Sequence, residues 1–215
     1  MIKDSFDFED TPGGGKGEQP CLLIVDDEQG ILDSYQHYLG VSPSQGVVQS
    51  ARRPRREKPK LFKETYRLLL ADTGERAVAL VRQEYQAGRN IQAGFFDMKM
   101  PGGIDGLETI RKIREIDENI YCVIVTAYQD RSLDEIGRVF GASNDHWDYM
   151  NKPFTGNEIV QKARNAVAFW RSRRHHEAVV QEMEETNRKL AEEFKRRVAE
   201  VSPRASKRSS VERSS

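Results

Sequence analysis

The sequence predicts an α/β fold with a doubly wound, five-stranded parallel sheet, followed by a long C-terminal helix. Five short apolar runs are each followed by apolar residues at helical spacing, and residues 157–201 contain no proline or glycine. Strict alternation of strands and helices implies a parallel sheet covered on both faces, because right-handed crossovers place the helices there. In such sheets, functional side chains lie at the carboxyl ends of the strands.

The strands are expected at short apolar runs, because uninterrupted runs of this length are typical of strands buried on both faces. These runs are 21–25, 65–71, 93–98, 121–125 and 146–150. The first two helices are expected at the apolar repeat from Ile31 to Leu39 and at 75–85. Capping-box patterns beginning at Asp105, Ser132 and Thr155 predict where the remaining helices start.

Charge is unevenly distributed although the net charge of the 215 residues is zero. We predict a flexible lead-in at 1–20, a folded domain at 21–156, an extended helix at 157–201 and a disordered Ser/Arg-rich tail at 202–215. The segment 40–64 interrupts the domain with seven basic and two acidic residues, a net charge of +5. The rest of the domain, 21–39 and 65–156, carries 11 basic and 18 acidic residues, a net charge of −7.

The composition argues against a membrane span and a disulfide framework. No stretch approaches the roughly 20 consecutive apolar residues of a spanning helix, and the N-terminus lacks a secretory-signal pattern, so a cytoplasmic location is expected. Cys21 and Cys122 each lie in an apolar run and are predicted to be buried thiols. His175 and His176 are adjacent on a predicted helix, so a solvated pair is favoured over a metal site.

Polar residues end four of the predicted strands. Asp26 and Asp27 follow the first strand, Asp97 ends the third, Thr126 the fourth, and Lys152 follows the fifth. Three neighbouring carboxylates repel one another unless a cation lies between them, and hard oxygen ligands suit Mg²⁺. A lysine and a hydroxyl beside them suit a phosphoryl group, and an aspartate in this setting can be the nucleophile that forms an acyl phosphate.

The segments LLIVDDE, FFDMKMP followed by DGLE, VIVTA and NKPF resemble the receiver domain of two-component response regulators. The resemblance covers 21–39 and 65–156 and implies a flavodoxin-like fold. It implies that Asp97 accepts a phosphoryl group from the phosphohistidine of a histidine kinase or phosphotransfer protein. It also implies roles for the neighbouring residues: Mg²⁺ held by Asp26, Asp27, Asp97 and the backbone carbonyl of Lys99, contacts to the phosphoryl group from Thr126 and Lys152, and an aromatic switch at Tyr149.

Two features depart from the family pattern. The segment from Asp97 to Asp105 is one glycine longer than usual, and a glycine pair in a loop can absorb such an insertion. The basic insertion 40–64 replaces a short connection, at a low cost in loop-closure entropy. It is predicted to be a solvated loop, with a docking patch for nucleic acid or an acidic partner as the alternative.

The predicted C-terminal helix is longer than a receiver needs, and a coiled coil is expected from it. A heptad reading places Val180, Met183, Asn187, Leu190, Phe194, Arg197 and Val201 at the a and d positions. We predict a parallel homodimer through 177–201 or pairing with the coiled coil of another protein. A common DNA-binding output domain and a separate catalytic domain are not expected within this chain, although the acyl phosphate would hydrolyse by itself.

Two alternatives remain at this point. A haloacid-dehalogenase-type phosphatase also uses a strand-end aspartate with Mg²⁺, but it wants an Asp-x-Asp pattern on its first strand, where this chain has adjacent Asp26 and Asp27. A receiver that acts as a scaffold without phosphorylation is the second alternative.

Overall fold

The computed structural model describes residues 19–40, 65–127, 133–140 and 146–209. The predicted lead-in therefore lies outside the described residues except for its last two positions, and the basic insertion lies outside them after Gly40. The last six residues of the predicted tail lie outside them as well. The chain divides into two compact units, Met1–Ser172 and Arg173–Ser215, and each is described by itself.

Five parallel strands form one sheet in the order β2-β1-β3-β4-β5, as the sequence predicts. The strands are β1 Cys21–Val25, β2 Arg67–Ala71, β3 Ala93–Asp97, β4 Tyr121–Ala127 and β5 Trp147–Lys152. β4 and β5 each continue two residues beyond their predicted ends, because they pair with each other up to Ala127 and Lys152. Lys152 is therefore the last residue of a strand rather than the residue after it.

Helices alternate with the strands, and two of the predicted capping boxes form. The helices are α1 Gln29–Leu39, α2 Gly74–Gln86, α3 Gly106–Arg114, α4 Leu133–Phe140 and α5 Gly156–Ser209. The Asp105 carboxylate accepts the Glu108 N–H at 2.8 Å and caps α3. At α5, Thr155 Oγ1 accepts the Glu158 N–H while the Glu158 carboxylate accepts the Thr155 N–H. The capping box predicted at Ser132 lies outside the described residues.

The sheet separates two apolar layers, one on each face. Leu23, Phe96 and Ile124 belong to one layer, and their strand neighbours Ile24 and Phe95 belong to the other. Both sets are buried, because helices cover both faces of the sheet. This explains why the strands are uninterrupted apolar runs rather than alternating ones. Cys21 and Cys122 are buried, free thiols within these strands, as predicted.

Helix α5 is longer than predicted. It begins at Gly156 and ends at Ser209, so residues 202–209 are helical where the sequence analysis expected the start of a disordered tail. A proline removes one helical hydrogen bond, but the surrounding alanine, lysine and arginine residues have high helix propensity, and the helix continues through Pro203. Among the described residues, no helix is both long and apolar enough to cross a membrane.

The ends of the basic insertion lie side by side. Gly40 and Tyr66 form a parallel bridge, and the Tyr66 N–H donates to the Leu39 carbonyl at 3.1 Å. The insertion leaves the chain at the end of α1 and returns at the start of β2. It therefore joins the body at the opposite edge of the sheet from the carboxyl ends of the strands.

A buried carboxylate connects edge strand β2 to α2. Glu84 accepts hydrogen bonds from Arg67 at 2.5 Å and from the Nε and Nη2 atoms of Arg89 at 2.8 and 2.9 Å. Its side chain is almost fully buried, whereas both arginines are partly exposed. The hydrogen bonds from Arg89 and Arg67 lower the pKa of Glu84 to about 2.

We expect Glu84→Gln to reduce the free energy of unfolding at pH 7 by about 1.5–3 kcal/mol, the range for hydrogen bonds to charged groups. Because the folded-state pKa of Glu84 is depressed, its contribution is full above about pH 4.5 and decreases as the pH falls toward about 2. Urea unfolding at several pH values should show the penalty of Glu84→Gln shrinking over that window. Exposed Glu118→Gln is the control, and equal penalties in both variants would contradict the prediction.

We expect replacement of residues 42–64 by a short Gly-Ser linker to leave the fold intact. The two ends are already adjacent, so the change in loop-closure free energy is about 1–2 kcal/mol in favour of folding. Circular dichroism and urea unfolding measure the outcome. A large loss of stability in the shortened protein would show that the insertion contributes contacts to the body.

Candidate functional site

The polar residues predicted at the strand ends meet at one edge of the sheet. β1 and β3 are neighbours, with Val25 opposite Phe96, so that Asp26 and Asp97 follow adjacent positions. Carboxylate oxygens of Asp26, Asp27 and Asp97 all lie within 4.8 Å of one another. Asp26 and Asp97 are buried, and Asp27 is exposed. The topology thus brings together carboxylates that are about 70 residues apart in the sequence.

Lys152 lies between the two buried carboxylates. Its ammonium nitrogen is 2.9 Å from Asp26 Oδ2 and 3.0 Å from Asp97 Oδ2. Burial opposes the charge of Lys152, but the hydrogen bonds to Asp26 and Asp97 outweigh it and raise its pKa. The lysine is therefore cationic at neutral pH. One lysine thus connects the end of β5 to the ends of β1 and β3, across the intervening strand β4.

Asp26 is held by a local turn as well as by Lys152. Its Oδ1 accepts the Glu28 N–H at 3.0 Å, just before α1 begins. Burial raises the pKa of Asp26 above its ordinary value, although the hydrogen bonds from Lys152 and Glu28 oppose this shift. With two buried carboxylates and a third at the surface around one ammonium, the cluster carries excess negative charge.

The backbone after Asp97 is fixed by contacts that the sequence analysis did not select. The Met98 N–H donates to the Val125 carbonyl at 3.1 Å. A Cβ at Gly106 would lie 2.1 Å from the Asp97 carbonyl oxygen, so only glycine permits α3 to begin this close to β3. The Lys99 N–H points toward Asp97 Oδ1 at 3.5 Å, the outer limit of a hydrogen bond.

The loop with the extra glycine is tied to α2. Gly102 has a φ of +89°, a conformation that favours glycine, and this is how the loop accommodates the insertion. The Ile104 N–H donates to Glu75 Oε1 at 3.0 Å. Glu75 is 29 residues away in the sequence, and no motif singled it out.

Aromatic rings lie below the acidic cluster. The ring of buried Tyr35 lies 5.2 Å from Phe95 and 5.7 Å from Phe154, centroid to centroid. Phe95 is two residues before Asp97, and Phe154 is two residues after Lys152. Burial, together with the negative charge of Asp26 and Asp97, raises the pKa of the Tyr35 hydroxyl well above its usual value. The site therefore rests on a neutral, apolar base.

Thr126 and Tyr149 occupy the β4–β5 side of the site. Thr126 lies one residue beyond Val125, the partner of Asp97, and its hydroxyl donates to the Ala127 carbonyl at 3.0 Å. The Tyr149 side chain is 45% exposed. The structure thus places both residues near the strand ends, and their predicted roles remain predictions.

The donor set fits a magnesium ion. Mg²⁺ prefers carboxylate oxygens and keeps several of its waters, and three carboxylates, one of them open to solvent, provide such an incomplete cage. The same ion would relieve the repulsion that one ammonium leaves uncompensated.

A groove lies beside Lys152 on the α1 side of the site. It has a volume of about 570 Å³ and runs between α1 and the β5–α5 connection. Apolar side chains line much of it, including Ile31, Tyr38, Phe154 and Ile159. Lys152 forms part of the same lining, so the groove opens directly onto the acidic cluster.

Comparisons with known proteins agree with this geometry. Residues 58–164 match the family model described as the response regulator receiver domain. The match includes Asp97, Thr126 and Lys152. It begins after the first strand, so the structure rather than the family model brings Asp26 and Asp27 into the same site.

Two curated relatives and one solved structure illustrate the similarity. Sporulation initiation phosphotransferase F of Bacillus subtilis is 33% identical over 97 residues, which are 45% of this chain and 70% of that protein. The transcriptional regulatory protein AruR of Pseudomonas aeruginosa is 27% identical over 148 residues, 69% of this chain; the chain spans about half of AruR, 49%. A CheY-like receiver domain from Methanospirillum hungatei JF-1 has the same fold, with a TM-score of 0.51 and 20% identity, over 73% of this chain and 99% of that one.

We expect Lys152→Met to reduce the free energy of unfolding by about 1.5–3 kcal/mol in EDTA at pH 7, because two buried carboxylates lose their charged hydrogen-bond donor. The matched control is Lys162→Met, since Lys162 pairs with a single, more exposed carboxylate, that of Asp148. That pair is expected to contribute less than about 1 kcal/mol. Urea unfolding measures both, and a larger effect at Lys162 would contradict the expectation.

Proposed function

The chain belongs to the response regulator receiver family, and we propose that Asp97 is the phosphoryl acceptor through which a histidine kinase or phosphotransfer protein controls it. The observation that carries the proposal is the meeting of Asp26, Asp27, Asp97 and Lys152 at the strand ends. Receiver function needs an aspartate nucleophile in a setting that neutralises incoming negative charge. The name of the Bacillus relative, a phosphotransferase, supports this proposal.

Asp26, Asp27 and Asp97, together with the Lys99 backbone carbonyl, would hold Mg²⁺ in this proposal. When bound, the ion supplies neutralisation of charge on the phosphoryl oxygens. The close approach of the three carboxylates supports this assignment. The exposed Asp27 leaves the cluster open on the side from which a phosphoryl group arrives.

The transfer step uses the Asp97 carboxylate as nucleophile. A carboxylate oxygen of Asp97 attacks the phosphorus of the phosphohistidine, and an acyl phosphate bond forms. The P–N bond breaks, and its electron pair stays on the imidazole nitrogen that leaves. Lys152, already 3.0 Å from Asp97, would donate to a phosphoryl oxygen, and the Thr126 hydroxyl would turn from the Ala127 carbonyl to donate to another.

The groove beside Lys152 supports the approach of a protein donor. Its apolar walls, from α1 and from Phe154 and Ile159, suit the apolar face of a partner helix. A phosphohistidine on such a helix would point toward the cluster, because Lys152 belongs to the groove lining.

The output would be dimerisation or partner docking through α5. Asp148 accepts the Tyr149 N–H at 2.8 Å through Oδ1, and it pairs with Lys162 of α5 at 2.5 Å through Oδ2. These contacts connect the proposed aromatic switch at Tyr149 to the first turns of α5. Phosphorylation would shift the population of the two receiver states, and α5 would associate differently in each.

The two alternatives differ in what they have against them. The family assignment removes the haloacid-dehalogenase-type phosphatase, since the chain belongs to the receivers. A scaffold that works without phosphorylation needs none of the charged residues to meet, and their meeting around Asp97 favours a phosphorylated receiver.

We expect acetyl phosphate with Mg²⁺ to add one phosphoryl group to the chain, detected by intact-mass spectrometry. Asp97→Asn should abolish the addition, because an amide is a poor nucleophile. EDTA should abolish it in the wild type as well.

Asp105→Asn is the matched control, because asparagine still caps α3 and the residue lies outside the cluster. It should label like the wild type. Labelling of Asp97→Asn at the wild-type rate would overturn the proposal.

A further inference from the structure

The described part of α5 beyond Ser172 carries a continuous apolar stripe that is open to solvent. Six large apolar side chains there are exposed: Val179, Val180, Met183, Leu190, Phe194 and Val198. At 3.6 residues per turn they fall within an arc about 100° wide and about 30 Å long. Phe194 alone is 69% exposed. The stripe offers on the order of 500 Å² of apolar surface, the size of patch that marks an interaction site.

The stripe repeats every 11 residues rather than every seven. Val179 and Met183 recur as Leu190 and Phe194, and Asn187 recurs as Val198. The heptad reading left Val179 and Val198 outside the core and placed Arg197 inside it. An 11-residue repeat winds at 3.67 residues per turn, so paired helices would be nearly straight or slightly right-handed.

Charges beside the stripe are paired within their own helix. Glu193 holds Arg197 at 2.7 Å, and Glu185 holds Lys189 at 2.7 Å. A partner of strong opposite charge would gain little on this surface, and a second copy would meet little like-charge repulsion.

Asn187 lies in the middle of the stripe and distinguishes the possible orientations. In a parallel, in-register pair, the two Asn187 side chains face each other and can exchange hydrogen bonds. In an antiparallel pair centred on the stripe, each Asn187 faces Leu190, and its amide is buried without a partner. Leaving a polar group in that state costs about 1–3 kcal/mol.

We infer that a second copy of this chain covers the stripe, in a parallel, in-register pair with an 11-residue repeat. This inference rests on the proposed function in one respect, because it names the partner of the α5 output.

Sedimentation equilibrium of the full chain between about 1 and 100 µM tests the pairing, since this range brackets a micromolar dissociation constant. We expect a dimer in the wild type and at least a tenfold weaker dimer in Phe194→Lys. Gln181→Lys, which adds the same charge on the opposite face of the helix, should dimerise like the wild type. A monomeric wild type throughout the range, or equal effects of both substitutions, would overturn the inference.

Cysteine cross-linking tests the register. Cys21 and Cys122 are buried, so a cysteine introduced by Asn187→Cys would be the reactive thiol among the described residues. Oxidation should join two chains through position 187, and Gln181→Cys should give little product. Cross-linking at 181 but not at 187 would overturn the parallel arrangement. Labelling of Asp97 by acetyl phosphate is measured in every variant, so a protein that labels but stays monomeric contradicts only the dimer.

Discussion

The site depends on holding the negative charges of Asp26 and Asp97 together inside the protein. Two buried carboxylates repel each other, and the ammonium of Lys152, at 2.9 and 3.0 Å, provides the compensation. Because Lys152 ends β5 while the carboxylates follow β1 and end β3, this interaction connects three strands across β4. A change of charge at Asp97 therefore changes the force on the end of β5, and β5 also carries Tyr149 and Asp148.

The scaffold around Asp97 limits how that change can spread. The carbonyl of Asp97 lies against Gly106, and the loop that follows is tied to Glu75 through Ile104. These contacts hold the α3 side of the site in place. On the other side, Thr126 makes only a local hydrogen bond and Tyr149 is exposed. The side toward β4 and β5 is thus the less constrained one, and rearrangement is easier there.

The sequence predicted those parts of the fold that depend on local patterns. Uninterrupted apolar runs located all five strands, and the capping boxes at Asp105 and Thr155 formed as expected. The strand-end rule brought Asp26, Asp27, Asp97 and Lys152 together before any coordinates were known. The contacts of Glu75, Gly106 and Tyr35 could not be predicted, because each depends on a residue that is distant in the sequence and only the packed structure makes it a neighbour. The helix also continues past 201, since one proline did not outweigh the helix propensity around it.

The part of α5 beyond Ser172 raises a question of stability as well as of partner. Within 173–200, five ion pairs lie three or four residues apart. Such pairs contribute about 0.2–0.5 kcal/mol each, so together they stabilise the helix by about 1–2 kcal/mol. That is a modest amount, because helix formation in water depends mainly on the packing of an apolar face. Covering the stripe would supply this packing, so that folding of the extension and its association would be coupled. The apparent affinity would then contain the free energy of ordering the helix, and any change in α5 that alters its helicity would alter association without touching the interface.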